Sequence, residues 1–139
     1  VSEAHAPKWF RIAAIVAILW NAMGVFMYLS SVGLFGDPMA GLSDTERRAA
    51  SSIPAWIMGA FAVGTFAGLI GSIGLLIRKR WAWPLLIVSL IGLLVLESYI
   101  VFFSGALEAF GLTFPILVSA GAVLLAWVAT RGRARGWLD

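Results

Sequence analysis

Four apolar stretches, at about 10–30, 53–77, 81–103 and 110–130, are each long enough to cross a lipid bilayer. A helix needs roughly 20 apolar residues to do so. Inside hydrocarbon every backbone N–H and C=O must find its partner within the chain, which leaves helices as the option for segments of this length. Hydrophobic residues make up 61% of the 139 residues, and the mean hydropathy of +0.96 lies far above the range of soluble domains. The expected fold is therefore all-α: a polytopic membrane protein with one antiparallel four-helix transmembrane bundle over residues 1–139. The first apolar run exceeds the roughly 7–15 residues of a signal-peptide core, so it is expected to be a retained span.

The charges give this bundle an expected orientation. Lys8 and Arg11 precede the first span, Arg78, Lys79 and Arg80 form the turn between the second and third, and Arg131, Arg133 and Arg135 follow the fourth. These segments share one side and hold eight of the ten Lys and Arg; the other side has only Arg47 and Arg48, offset by Asp37, Asp44, Glu46 and Glu108. The positive-inside rule then places both termini in the cytoplasm, and the membrane is expected to be a bacterial inner membrane. The cations flank spans and form no separate basic domain. They fit topology and anionic lipid heads, and no nucleic-acid partner is expected.

Only one connection, 32–52, is sizeable. Ser43-Asp44-Thr45-Glu46 reads as a capping box and predicts a short surface helix over about 44–51. Asp37-Pro38 reads as a turn. Arg78-Lys79-Arg80 leaves room for a tight turn alone, and 104–109 is a second short connection. The second and third spans, and then the third and fourth, should be antiparallel neighbours.

Packing should follow the small residues. Ala60, Gly64, Gly68 and Ser72 recur every four positions in the second span, Ala13, Ala17 and Asn21 in the first, and Ala122, Ala126 and Thr130 in the fourth. Such faces let helix backbones approach closely. They serve packing within the bundle or, alternatively, a homodimer or a docking face for another membrane subunit.

Glu97 is the one ionisable residue well inside a span, where a carboxylate costs roughly 2.5–3.5 kcal/mol on insertion scales. By depth it shares a level with Asn21 and Trp20 of the first span, Thr65 of the second and Ser119 of the fourth, which together make a candidate intramembrane polar site. Glu97 could be hydrogen-bonded glue within the bundle, could face an open cavity and hold a proton or cation, or could meet a partner subunit or snorkel to the interface. Trp20 needs a partner for its indole N–H at that depth. His5 is the single histidine and there is no cysteine, so neither a metal site nor a cofactor is expected. No nucleophile–base pair or phosphate loop suggests an enzyme.

Three further segments stand out: Leu19-Trp20-Asn21-Ala22-Met23-Gly24-Val25-Phe26-Met27-Tyr28, then Ser52-Ile53-Pro54-Ala55-Trp56 with Ala60-Phe61-Ala62-Val63, and Arg78-Lys79-Arg80-Trp81-Ala82 with Ala134-Arg135-Gly136-Trp137-Leu138. Together they resemble a family of small four-helix bacterial membrane proteins that often carry the label "sugar transporter". The resemblance covers nearly the whole chain and implies a four-helix membrane fold. The leading functional expectation is a non-enzymatic accessory or scaffolding subunit that docks in a larger membrane complex or self-associates. The alternative is a transporter of a small solute, such as a sugar, working as an oligomer, with Glu97 in its binding or proton-coupling site.

Overall fold

The small-residue faces decide the architecture. In the computed structural model, which describes residues 5–103, 107–108 and 111–139, five helices form: α1 (Lys8–Ser31), α2 (Asp44–Ser51), α3 (Ala55–Leu76), α4 (Ala82–Phe102) and α5 (Thr113–Ala134). No strand occurs among the described residues. All but α2 are long and apolar enough to span a membrane; at 21 to 24 residues each they measure about 32–36 Å, against a hydrocarbon core of about 30 Å. The chain is an integral membrane protein with four membrane-spanning helices.

The helices pack in the order α1, α3, α4, α5. The α3–α4 contact is the most extensive, and the α1–α5 contact is slight beside it. Glycine sets the first of these. A Cβ on Gly92 would lie 3.0 Å from the Ala60 carbonyl oxygen and 3.1 Å from the Gly64 nitrogen, so the α3 and α4 backbones touch here directly. Ser89 Oγ donates to the Gly64 carbonyl at 2.6 Å across the same contact. On α1 the buried residues Ala14, Ala17 and Asn21 face inward, and on α5 Val118, Ala122, Ala126 and Ala129 do.

The end of the bundle that carries the termini is clamped. Phe10 is 1% exposed and packs with Ala14, Leu75, Leu86, Ala129 and Leu138. A Cβ on Gly132 would meet its ring at 2.8 Å, so α1 and α5 close against each other here. Trp9, Trp127 and Trp137 cluster around this contact, with ring centroids 5.6 to 6.3 Å apart. Helix α5 ends at Gly136, whose φ of +71° is the left-handed residue of a Schellman motif: Trp137 N–H donates to the Gly132 carbonyl and Gly136 N–H to that of Arg133. The chain then folds back, and Leu138 enters the core.

A second Schellman motif ends α3 with an unusual residue. Arg78 has φ +61°, where glycine is the common choice; Lys79 N–H reaches the Gly74 carbonyl and Arg78 N–H that of Leu75. The tight turn that follows is stitched to the end of the chain. Arg80 N–H donates to the Asp139 carbonyl at 2.7 Å, Asp139 N–H to the Arg78 carbonyl at 2.6 Å, and Arg78 Nε to the Trp137 carbonyl at 2.8 Å.

The boundaries differ from expectation in one helix. The sequence predicts a fourth span over 110–130, but α5 runs from Thr113 to Ala134. Gly111 takes φ +79°, which interrupts any helix there, and Pro115 suits the first turn that follows. At the far end Arg131 and Arg133 belong to the helix and do not merely follow it. Their charges favour its last carbonyls, and their guanidinium carbons sit 5.4 Å from the Trp127 ring and 4.2 Å from the Trp83 ring. Residues 104–106 and 109–110, which make up most of the expected short connection 104–109 and the start of the fourth span, lie outside the described residues.

The surface helix forms over 44–51 as expected. Ser43 Oγ accepts from Glu46 N–H at 3.2 Å, so the forward bond of the capping box is made; the return bond from Glu46 is absent among the described residues. Before it, Asp37 Oδ1 accepts from Met39 N–H at 2.9 Å, closing the turn at Asp37-Pro38. Ala49 is 7% exposed, which docks α2 across the loop end of the bundle.

Candidate functional site

Opposite the clamped end the four long helices do not fill the space between them. A cavity of about 350 Å³ opens there, bounded by α1, α3, α4 and α5 and roofed by Ala49, Ala50 and Ile53 at the α2 end. Its walls are mostly apolar: Met23 and Met27 from α1, Phe61 from α3, Leu93, Leu96 and Ile100 from α4, Phe114 and Val118 from α5. Four of the five residues expected from depth line it: Trp20, Asn21, Thr65 and Glu97.

Glu97 is the feature that the rest of the molecule does not explain. It is 5% exposed, and its Oε2 has no hydrogen-bond partner among the described residues. No Lys, Arg or His lines the cavity. Buried polar atoms are nearly always paired, and an unpaired one costs about 1–3 kcal/mol, more for a charged group. Of the three expectations for this residue, glue between helices requires a partner within the bundle, and none of the described residues supplies one to Oε2.

Asn21 and Thr65 are held quite differently. Asn21 Nδ2 donates to the Ala17 carbonyl at 2.9 Å and to Ser72 Oγ at 3.3 Å, while Ser72 Oγ donates in turn to the Gly68 carbonyl at 2.6 Å. The Asn21 carboxamide fills the space that a Cβ on Gly68 would need. Ser72, singled out as one of the packing face Ala60, Gly64, Gly68 and Ser72, thus also anchors a cavity residue. Thr65 Oγ1 lies 3.0 Å from the Phe61 carbonyl and 3.3 Å from that of Ala62, donating back along its own helix. Its methyl group packs against Gly24, where an added Cβ would stand 3.0 Å away.

Trp20 stands at the rim. It is 42% exposed, and its indole lies beside Gly121, where a Cβ would be 3.5 Å from Nε1. Ser119 does not line this cavity but shares a second, shallow groove between α4 and α5 with Glu97, Leu94, Ser98 and Leu112. Depth along a helix fixes the level of a residue but not its direction, and adjacent residues are turned about 100° apart. Val118, one position earlier, faces the cavity instead.

The apolar walls and the α2 roof were not expected from the sequence. One signal for the roof was present: Ala49-Ala50 interrupts an otherwise polar segment and marks a face that must dock. Met23 and Met27, one helical turn apart and beside Trp20, are a weaker pointer of the same kind.

Comparison with protein-family models, with curated proteins and with solved structures finds no match to this chain.

Proposed function

We propose that this chain is a non-enzymatic membrane protein that binds a small solute within the bilayer and takes part in its transport, with Glu97 as the binding carboxylate. The carrying observation is a carboxyl group 5% exposed whose Oε2 is unpartnered among the described residues, at the wall of a 350 Å³ cavity. Intramembrane carboxylates of this kind commonly mark substrate or ion pathways. A concave, mainly apolar cavity with a few polar groups is the usual form of a small-molecule site. The family resemblance points to the same class, solute transport. The distribution of Lys and Arg supports a bacterial inner-membrane location with both termini cytoplasmic, so the cavity would lie in the outer half of the bilayer.

An accessory or scaffolding role draws its main support from small-residue faces free to receive another helix. Here Gly64 receives Leu93, Gly68 receives Asn21, and Gly71 receives Leu86, so the α3 face is filled from within the chain. Purification in mild detergent separates the two readings. A binding protein melts at a higher temperature with one solute class from a panel of sugars, amines and carboxylic acids, and Glu97→Gln abolishes the shift. Stoichiometric co-purification with another membrane subunit, with no solute shifting the melt, would instead establish the accessory role.

A further inference from the structure

We infer that the cavity takes a lipophilic cation, a small amphiphile with an ammonium or similar positive group, which reaches Glu97 from the bilayer between α1 and α5. The inference deepens the solute-binding reading and rests on it.

Three of the four side-chain donors around the cavity are spent on the protein; the fourth, the Trp20 indole N–H, lies at the rim beside Gly121. Asn21 gives its amide hydrogens to Ala17 and Ser72, and Thr65 gives its hydroxyl to a carbonyl of its own helix. Ser31 Oγ, at the upper margin, donates to the Tyr28 carbonyl at 2.6 Å. Deeper than that rim, what remains is the Glu97 carboxyl, whose Oε2 has no partner among the described residues and which, once paired with a cation, accepts hydrogen bonds and donates none. The complementary ligand therefore supplies hydrogen-bond donors or positive charge. A sugar, whose hydroxyls need donors as well as acceptors, finds too few here, and much of its surface would lie against Met, Leu and Phe.

The apolar walls supply the second half of the specificity. Trp20, Phe61 and Phe114 line the cavity, and aromatic rings attract cations; Met23 and Met27 bring polarisable thioethers that adapt to irregular shapes. A cation bound here removes the isolation of the Glu97 carboxylate and leaves its own apolar body in contact with side chains instead of water.

Access follows from which wall is thin. Trp20, Met23 and Phe114 line the cavity, yet they are 42%, 60% and 48% exposed at the outside of the bundle. They belong to α1 and α5, whose mutual contact is far smaller than that of α3 with α4. The same residues therefore form the inner wall and the lipid-facing surface, and a ligand dissolved in the bilayer meets the site without crossing the packed α3–α4 seam. This is why the ligand is an amphiphile and not a simple hydrated cation.

The test uses the full chain in lipid nanodiscs with benzyltrimethylammonium, whose charge is independent of pH, and neopentylbenzene, its neutral carbon isostere. Benzyltrimethylammonium binds and raises the melting temperature, neopentylbenzene does not compete with it, and Glu97→Gln weakens binding by roughly 30-fold or more, as expected when one partner of a buried charge pair is removed. Met23→Trp, at an exposed position and away from the carboxylate, narrows the mouth and also weakens binding, so the result does not depend on the fold of one variant. Equal binding of both probes, unchanged in Glu97→Gln, overturns the cation assignment. Glu97-dependent binding of a sugar or a carboxylic acid, with none of the ammonium, overturns it while leaving the solute-binding function standing. Failure of every solute, together with a co-purifying subunit, overturns both.

Discussion

The two ends of this bundle obey opposite rules. At the termini end the helices meet closely: Phe10 fills the space over Gly132, three tryptophans pack around it, the chain after α5 is hydrogen-bonded to the α3–α4 turn, and the recess that remains beside Phe10 is rimmed by His5, Arg11 and Arg78. At the other end the same four helices leave a cavity of about 350 Å³ and an unmatched carboxyl group. In lipid, helices associate through close packing and hydrogen bonds and not through the hydrophobic effect. An end that forgoes close packing therefore forgoes most of the association energy, and that sacrifice is concentrated around Glu97. Proteins commonly trade stability for function at their sites in this way.

Substitutions can break or sharpen the contrast, and the largest effect should come from the seam shared by both ends. Gly92→Leu would drive a side chain into the Ala60 carbonyl and the Gly64 backbone. A loss of more than about 3 kcal/mol is expected, at the upper limit of overpacking, because backbone cannot step aside. Unfolding by SDS titration in mild detergent measures it, and a near-normal midpoint would mean that the seam is not the foundation of the fold. Phe10→Ala should cost about 3 kcal/mol, the lower edge for truncating a buried Phe, because lipid and not water receives the released surface. A cost below about 1 kcal/mol would place the termini end among ordinary surface sites, where substitutions have small effects.

Removing the carboxylate should act in the opposite direction. Glu97→Leu is expected to raise stability by about 1 kcal/mol, since replacing an uncompensated buried polar group with an apolar one is often stabilising, while abolishing solute binding. Destabilisation in the same titration would show that Glu97 holds the bundle together, and the contrast between the ends would dissolve. The smallest effect belongs to Arg78→Gly. It relieves a left-handed conformation worth about 1–2 kcal/mol but gives up the charge-assisted bond to Trp137, which is worth about the same. The net change in the midpoint should stay within about 0.5 kcal/mol, the range of ordinary surface substitutions.

Much of the fold is legible in the sequence because lipid imposes a simple constraint. Span lengths follow from bilayer thickness, the surface helix from Ser43 and Glu46, and the α3 seam from glycines at four-residue spacing. The site is legible in level but only partly in direction. Glu97, Asn21, Trp20 and Thr65 share one cavity as well as one depth, whereas Ser119 meets only Glu97 of these, in the groove between α4 and α5. The strip Ala122 and Ala126 already points to Val118, four residues back along the same face, so rotation could have been read from small residues and depth alone misled. The stitching of 137–139 to 78–80 is less accessible. It joins segments almost sixty residues apart through backbone hydrogen bonds and through Arg78 and Arg80 Nε to the carbonyls of Trp137 and Leu138, and arginines in a turn read first as topology signals.

The stitched turn also has a mechanical consequence. With Arg78 and Arg80 tethered to Trp137 and Asp139, and Phe10 seated over Gly132, α1 and α5 are joined like the arms of tweezers at the sprung end. Any parting of the arms is levered about that joint, so a displacement too small to disturb the tryptophans grows along the helices into a usable aperture at the tips.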